Sequence, residues 1–170
     1  MARNIEIKAR VADRGKLEAL ARRLADHGPE LIQQDDTFFH CPEGRLKLRD
    51  FGNGQGELIF YRRADETGPK TSFYRITPTA DPDGLRATLG LALGELGRVV
   101  KQRTLYLAGR TRIHLDQVQD LGEFMELEVV LTDDEDETAG LTEAKTLMAS
   151  LGLAETDLME GAYLDWLQRR

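Results

Sequence analysis

The chain has 170 residues, of which 41% are hydrophobic, and its formal net charge at pH 7 is -7. This length supports one sizeable hydrophobic core but not two full-sized domains, so we expect a single domain over residues 1–170. The negative charge repels polyanions, which argues against nonspecific binding to nucleic acid or to an anionic membrane surface. Any site for a polyanion must therefore be local.

Neither a targeting segment nor a structural zinc site is expected. The first ten residues lack the apolar stretch of a signal peptide, and no apolar run approaches the roughly 20 residues of a membrane span. We therefore expect a cytoplasmic protein. Cys41 is the only cysteine, which excludes an internal disulfide, and only three histidines accompany it. If the protein binds a metal ion, we therefore expect oxygen atoms as its ligands.

The first half of the chain begins with a strand that has one charged face. From Asn4 to Val11, apolar and polar residues alternate strictly. Asp13 can cap a helix that runs to about His27, where Gly28-Pro29 ends it. Further strands are predicted at Arg45 to Asp50, Leu58 to Arg63 and Lys70 to Thr77.

The second half begins with a short helix after Asp81, because proline suits a first helical turn. Three more strands follow, at Arg98 to Leu107, Arg110 to Leu115 and Glu123 to Leu131, and they resemble a meander. The acidic run Asp133 to Glu137 then leads into a helix that ends near Gly152. A last helix is predicted from about Thr156.

The charges on the strands favour a closed barrel over an open sheet covered on one side. Neighbouring strands of an ordinary solvent-facing sheet show no shared chemistry. Here the polar faces of three strands are basic, and those of the first and last strands are acidic. The basic faces supply Arg45, Lys47, Arg49, Arg62, Lys101 and Arg103, and the acidic faces supply Glu6, Glu126 and Glu128. This sorting predicts one site with a cationic wall and an acidic wall.

Such a pair of walls suits a triphosphate and its metal ion. Several fixed cations are needed to bind a triphosphate, and arginine is favoured for bidentate contacts. Glu126 and Glu128 are one strand period apart, so they point to the same side and can share one Mg²⁺ with phosphate oxygens. Opposite walls would also offset each other's cost of desolvation.

At this point the sequence resembles a known family, the CYTH superfamily or triphosphate tunnel metalloenzymes. The resemblance lies in Asn4 to Lys8, in Lys47 to Arg49, in Arg62, in Lys101 to Arg103 and in the run His114 to Glu128. It covers nearly the whole chain. It implies an α+β fold, with an eight-stranded antiparallel β-barrel that forms a triphosphate tunnel and with flanking helices.

The resemblance also implies roles for individual residues. Glu6, Glu126 and Glu128 would be ligands of Mg or Mn. Arg49, Arg62, Lys101 and Arg103 would bind phosphate, and Lys47 would join this substrate-binding set. Lys8 and Asp116 are the candidate catalytic residues: Lys8 also belongs to the cationic lining, and Asp116 would hold a basic side chain or assist the metal.

Two positions qualify this assignment. The family's opening signature is Glu-x-Glu-x-Lys, whereas the first glutamate is replaced here by Asn4, an oxygen donor weaker than a carboxylate. His114 shares a face with Asp116 and could transfer protons, but we interpret it as a hydrogen-bonded structural histidine.

Three functions remain open at this stage. The first is hydrolysis of a small-molecule triphosphate, such as tripolyphosphate, ATP or thiamine triphosphate. The second is a class IV adenylate cyclase that converts ATP to cyclic AMP and pyrophosphate. The third is a noncatalytic module that binds polyphosphate or nucleotide. No adenine pocket can be located in the sequence, so we place hydrolysis first. The oligomeric state stays open, including a homodimer.

Overall fold

The computed structural model describes residues 2–64 and 67–169. In these ranges the chain forms eight strands, four α-helices and one 3-10 turn. In chain order they are β1 (Ala2–Arg10), α1 (Arg14–Leu24), β2 (His27–Phe39), β3 (Arg45–Asp50), β4 (Gly56–Arg63), β5 (Lys70–Thr79), α2 (Pro82–Leu93), β6 (Glu95–Ala108), β7 (Thr111–Val118), β8 (Gly122–Leu131), α3 (Glu137–Ser150), the 3-10 turn (Glu155–Asp157) and α4 (Tyr163–Gln168).

The strands close into one antiparallel barrel in the order β1-β5-β4-β3-β2-β6-β7-β8, and β8 pairs with β1. The predicted α+β fold with an eight-stranded barrel and flanking helices is therefore confirmed. The β1–β8 register places Glu6 opposite Glu128 and Lys8 opposite Glu126. The first and last strands, which carry the acidic faces, thus lie side by side.

The barrel has a polar interior, and the main hydrophobic core lies outside it. In β1, Ile5 and Ile7 are fully buried against the helices, whereas Glu6 and Lys8 point into the cavity. Apolar residues of β7 and β8 extend the same outer core, and Ala144 of α3 packs against it. The hydrophobic effect therefore attaches α1 and α3 to the wall and leaves the interior for charge.

Three helices begin where an aspartate can cap them. Asp13 accepts a hydrogen bond from the Lys16 amide at 3.0 Å, and Asp81 accepts one from the Gly84 amide at 3.0 Å. Asp136, within the acidic run, caps α3. An N-cap side chain satisfies an amide that has no partner in the first helical turn. No helix in the two described ranges is long and apolar enough to cross a membrane.

Strand β2 was missing from the predicted strands. Helix α1 ends at Leu24 instead of about His27, and the Asp26 amide then donates to the Leu107 carbonyl at 2.7 Å. Gly28-Pro29 consequently lies within β2, which pairs with β6. The first half of β2 is exposed, so it lacks the apolar alternation by which strands are recognised. Backbone hydrogen bonds to β6 therefore hold this segment as a strand, although its own residues show no strand pattern.

The last predicted helix is divided in two. Leu158 forms a bridge with Ala9, and the Met159 amide donates to the Lys8 carbonyl at 2.9 Å. These contacts tie the chain to the end of β1 and interrupt the helix, which resumes as α4 at Tyr163. As a result, the start of α4 lies at one mouth of the barrel, where Tyr163 contributes to the cavity lining.

Helix α3 packs so closely against the barrel that one added methyl group would clash with it. A Cβ atom at Gly140 would stand 2.6 Å from Leu131 Cδ2 and 2.9 Å from Ile5 Cγ1. We expect Gly140→Ala to lower the free energy of unfolding by about 1 kcal/mol, because overpacking outweighs the gain in helix propensity. Urea denaturation measures this. Gly15→Ala in α1 is the matched control, since its nearest neighbour would be 3.6 Å away. Equal stability of the two variants would contradict the close packing of α3.

Candidate active site

Side chains from all eight strands point into the barrel and line a cavity of about 320 Å³. Successive residues of a strand point to opposite faces, so each strand contributes every second residue. The volume suits a small molecule. The titratable residues of the lining are Glu6, Lys8, Asp36, Lys47, Arg49, Glu57, Tyr61, Arg63, Tyr74, Lys101, Arg103, Arg112, His114, Glu126, Glu128 and Tyr163.

The cationic wall is organised around Asp36, a fully buried residue of β2. Arg49 donates two hydrogen bonds to its carboxylate, each 2.8 Å long. Lys47 Nζ and Lys101 Nζ lie 3.1 and 3.3 Å from Oδ2 of the same carboxylate. Burial acts to raise the pKa of Asp36, but the three cations hold it well below its usual range. One carboxylate therefore stabilises three positive charges.

Burial also affects the protonation of two lysines that line the cavity, Lys47 beside Asp36 and Lys8 beside Glu126. It lowers the pKa of Lys47 to about 7, and the neighbouring Arg49 acts in the same direction while Asp36 opposes it. Burial likewise lowers the pKa of Lys8 to about 8, although Glu126 opposes the shift. Both amines consequently change protonation near physiological pH.

A second buried ion pair fixes Arg103. Its guanidinium donates to both oxygens of Asp116, at 2.7 and 2.8 Å. Burial acts to raise the pKa of Asp116, but Arg103 lowers it to about 2. The Tyr163 hydroxyl from α4 also donates to this carboxylate, at 2.9 Å. Asp116 thus holds a basic side chain in place, one of the two functions that the sequence suggested for it.

On the acidic wall, each carboxylate has a basic partner. Glu6 forms an ion pair with Arg63. Glu126 Oε2 lies 3.6 Å from Lys8 Nζ. Glu128 accepts a hydrogen bond of 2.8 Å from Arg112 Nε, and Arg112 lies opposite it on β7. Burial acts to raise the pKa of Glu126, but Lys8 and Arg103 hold it well below its usual range. Glu126 is therefore ionised before any ligand binds, whereas burial raises the pKa of Glu6 although Arg63 opposes the shift.

Four buried polar atoms of the cavity lining have no hydrogen-bond partner among the described residues: Asn4 Oδ1, Gln34 Oε1, Arg63 Nε and His114 Nδ1. Asn4 and His114 lie on β1 and β7, the two strands that flank the carboxylates of β8. Burial, aided by Arg103, lowers the pKa of His114 to about 4, so its ring is neutral at pH 7. One ligand atom each from His114, Glu126 and Glu128 lie within 4.8 Å of one another. Unpaired acceptors beside two carboxylates fit a divalent cation.

The two mouths of the cavity differ. Tyr163 is buried over one mouth, where Lys8 Nζ lies 4.3 Å from the centre of its ring. Arg63 donates to the Gly161 carbonyl at 2.9 Å, and Arg45 pairs with Asp165, so barrel side chains fix the start of α4. At the other mouth the partly exposed side chains are mainly apolar or aromatic: Ile32, Phe51, Tyr74, Ile76 and Leu105.

Most of the residues selected from the sequence meet in this cavity. Glu6, Lys8, Lys47, Arg49, Lys101, Arg103, Glu126 and Glu128 all contribute to its lining. Asp116 lies directly behind Arg103. The sequence reasoning missed Asp36 because it lies on the strand that was not predicted. It also missed Arg112, although this residue is on the same strand face as His114.

The expected position of Arg62 in the cationic wall is wrong. Arg62 is exposed on the outside of β4, and the neighbouring Arg63 points into the cavity. The register explains the difference, since Ile59, Tyr61 and Arg63 share one face of the strand. Strict alternation from Ile59 could have identified Arg63. His114 was interpreted as a hydrogen-bonded structural histidine, but its Nδ1 has no such bond within the described part of the chain.

We expect Asp36→Asn to destabilise the protein strongly, because it leaves buried cations without their shared partner. Breaking a buried ion pair typically costs about 3–5 kcal/mol. The adjacent Asp35 makes an exposed pair with Arg98, so Asp35→Asn should cost about 0–1 kcal/mol. Urea denaturation at pH 7 compares the two variants. Similar losses in both would show that the Asp36 cluster does not hold the wall together.

Solved structures with this architecture come from distant organisms. The PH1012 protein of Pyrococcus horikoshii OT3 has a TM-score of 0.84 at 23% identity, with 95% of this chain and 98% of that chain covered. A protein of Vibrio parahaemolyticus, described as a putative adenylate cyclase, has a TM-score of 0.79 at 21% identity, with 97% of each chain covered.

A protein from Hippeastrum also has this fold. HpAC1, described as a putative adenylyl cyclase with a dominant triphosphatase activity, has a TM-score of 0.66 at 18% identity, with 98% of this chain and 95% of that chain covered. These identities support a shared fold only.

The sequence itself identifies the family. No curated protein matches the chain. The CYTH domain model, however, matches residues 2–163, which is nearly the entire sequence. The barrel and its charged cavity agree with the features from which this resemblance was first predicted. The chain therefore belongs to the CYTH domain family.

Proposed function

We propose that this protein is a metal-dependent enzyme that hydrolyses a small-molecule triphosphate inside the barrel. The main support is that one cavity combines a cationic wall with an acidic cluster suited to a divalent cation. A triphosphate carries several negative charges and needs cations fixed at phosphate spacing. Tripolyphosphate, ATP and thiamine triphosphate are the candidate substrates, and residues 1–170 would act as one domain in the cytoplasm.

Arg49 and Arg103 would bind the phosphates in preset positions. Each guanidinium is already oriented by a bidentate bond to a buried aspartate, so little side-chain freedom remains to be lost on binding. Lys47 and Lys101 add positive charge beside Asp36. Phosphoryl transfer depends mainly on positioning and charge neutralisation, and these residues supply both.

Glu6, Glu126 and Glu128 would hold Mg²⁺ or Mn²⁺ on the opposite wall. Such a cation neutralises phosphate charge when it is bound. To serve as ligands, the carboxylates must weaken their contacts with Arg63, Lys8 and Arg112. The phosphates can take over these basic partners, so cation and triphosphate would bind cooperatively.

Lys8 is the proposed catalytic residue that lines the cavity itself. Its amine lies 3.6 Å from Glu126 and faces the Tyr163 ring. With a pKa of about 8, it can hold a proton near the phosphate or release one without a large cost. Asp116 would act indirectly by orienting Arg103.

A class IV adenylate cyclase is the second candidate. Its specific support is the open mouth, where Tyr74 and Phe51 could contact an adenine ring. In this reaction the ribose 3′-hydroxyl attacks the α-phosphorus and pyrophosphate leaves. The same cationic wall would serve either reaction, so the products must distinguish them.

A substrate panel tests the proposed activity. We expect orthophosphate from tripolyphosphate, ATP or thiamine triphosphate in the presence of Mg²⁺ or Mn²⁺, and no activity in chelator, because the acidic wall requires a cation. Phosphate, pyrophosphate and cyclic AMP should be measured separately. Cyclic AMP as the dominant product of ATP would favour the cyclase, and binding without turnover would favour a noncatalytic module.

Arg103→Ala should weaken triphosphate binding by about 1.5–3 kcal/mol, the usual value for a hydrogen bond to a charged group. Calorimetric titration with tripolyphosphate measures the loss. Arg62→Ala removes the same charge from the outer face of the barrel and is the matched control, for which we expect no change. Equal effects of the two substitutions would place the ligand outside the cavity.

Triphosphate affinity should fall as the pH rises through about 7 and about 8, the pKa values of Lys47 and Lys8. Phosphate favours the protonated amines, so binding above pH 7 should take up protons from the buffer. Titration calorimetry in buffers of different ionisation enthalpy measures this uptake. Lys47→Arg stays charged throughout and should remove part of the dependence. An identical pH profile in this variant would exclude Lys47 from phosphate binding.

A further inference from the structure

His114 occupies an unusual position on the acidic wall. It lies on β7 directly opposite Glu126, and its Nδ1 is 4.0 Å from Glu128 Oε1. This nitrogen is buried and makes no hydrogen bond to any residue in the described ranges. Buried polar atoms in native proteins rarely lack a partner, so an unpaired one requires an explanation.

The other donors of this wall have competing partners. Glu6 pairs with Arg63, Glu126 with Lys8, and Glu128 with Arg112. A cation that binds these carboxylates must displace or share a basic group. Binding to His114 Nδ1 displaces nothing that the structure describes. Among the ionisable side chains of the cluster, the imidazole is thus the ligand that needs the least rearrangement.

The distances also allow a shared cation. Ligand atoms of His114, Glu126 and Glu128 lie within 4.8 Å of one another. A cation about 2.1 Å from each ligand separates opposed ligands by about 4.2 Å. Small side-chain rotations can therefore close the three around one ion. Asn4 Oδ1, another unpaired acceptor of the same cavity, adds a neutral oxygen where a carboxylate would add charge.

We propose that His114 Nδ1 is a ligand of the divalent cation in this cavity and that it shifts the selectivity of the site from Mg²⁺ toward transition cations such as Mn²⁺, Co²⁺ or Zn²⁺. Mg²⁺ binds almost entirely through oxygen, whereas imidazole favours transition metals. The neutral Asn4 reinforces this shift, because hard Mg²⁺ depends more on carboxylate charge. The inference rests on the cation of the proposed function and on Glu126 and Glu128 as its ligands, but not on triphosphate hydrolysis.

The test uses the metal-free full chain without triphosphate. Calorimetric titrations with Co²⁺ and with Mg²⁺ compare the wild type with His114→Gln, which keeps a polar side chain but removes the imidazole. Co²⁺ affinity should fall by roughly tenfold or more, as for other changes at metal sites. Mg²⁺ affinity should change little. His27→Gln, which removes an exposed histidine, should alter neither.

Pulsed electron paramagnetic resonance of bound Mn²⁺ identifies the ligand directly. A coordinated imidazole gives nitrogen modulation, which we expect in the wild type and in His27→Gln but not in His114→Gln. Absence of this signal in the wild type would overturn the proposal, as would equal losses of Co²⁺ and Mg²⁺ affinity. If His114→Gln does not fold, the double variant His27→Gln/His40→Gln decides, because it removes both exposed histidines and keeps only His114.

The results separate this inference from the proposed function. Nitrogen coordination in a protein that hydrolyses no triphosphate would refute the enzyme and leave the ligand assignment intact. Triphosphate hydrolysis with Mg²⁺, without a nitrogen signal from Mn²⁺, would refute the ligand assignment alone.

Discussion

Charges of both signs fill the interior of the barrel, and none of them would be stable there alone. Transferring an ion from water into a protein interior costs several kcal/mol unless a partner is present. Asp36 stabilises Arg49, Lys47 and Lys101 together, while Asp116 stabilises Arg103. These buried pairs permit a cationic wall to exist in the absence of ligand. The basic side chains of the cavity are therefore in place before a ligand binds. The two aspartates also reduce the net positive charge of this wall.

This interior is tolerated because the hydrophobic core lies elsewhere. The outer faces of β1, β7 and β8 pack under α1 and α3, so helix packing holds the barrel from outside. A second cluster, with Phe124 and Tyr163, covers one mouth. Residues that line the cavity and residues that belong to the outer core consequently alternate along the same strands. A shift of one residue in the register would exchange their environments.

The inward and outward faces of a strand could be predicted from the sequence where apolar and polar residues alternate strictly. The two faces of β1 could be assigned from Asn4 to Arg10, and the pair Glu126 and Glu128 followed from the same period of two. Prediction failed where a strand depends on its partner, as in β2, whose exposed first half has no apolar pattern. Asp36 was lost with that strand. The error at Arg62 was different: adjacent arginines in β4 look equivalent by composition, and only the inward position of Tyr61 distinguishes them.

Closure of one mouth by α4 has a kinetic consequence for the proposed reaction. A substrate whose organic part contacts Phe51 and Tyr74 at the open mouth would have its terminal phosphate toward Tyr163. Products would then have to leave in sequence, with the part nearest the opening first and orthophosphate last. Accumulated orthophosphate would occupy the deepest position and compete with the next substrate. With one mouth covered, the barrel would be a chamber with a single opening. The depth of each product in this chamber would then determine the order in which the products leave.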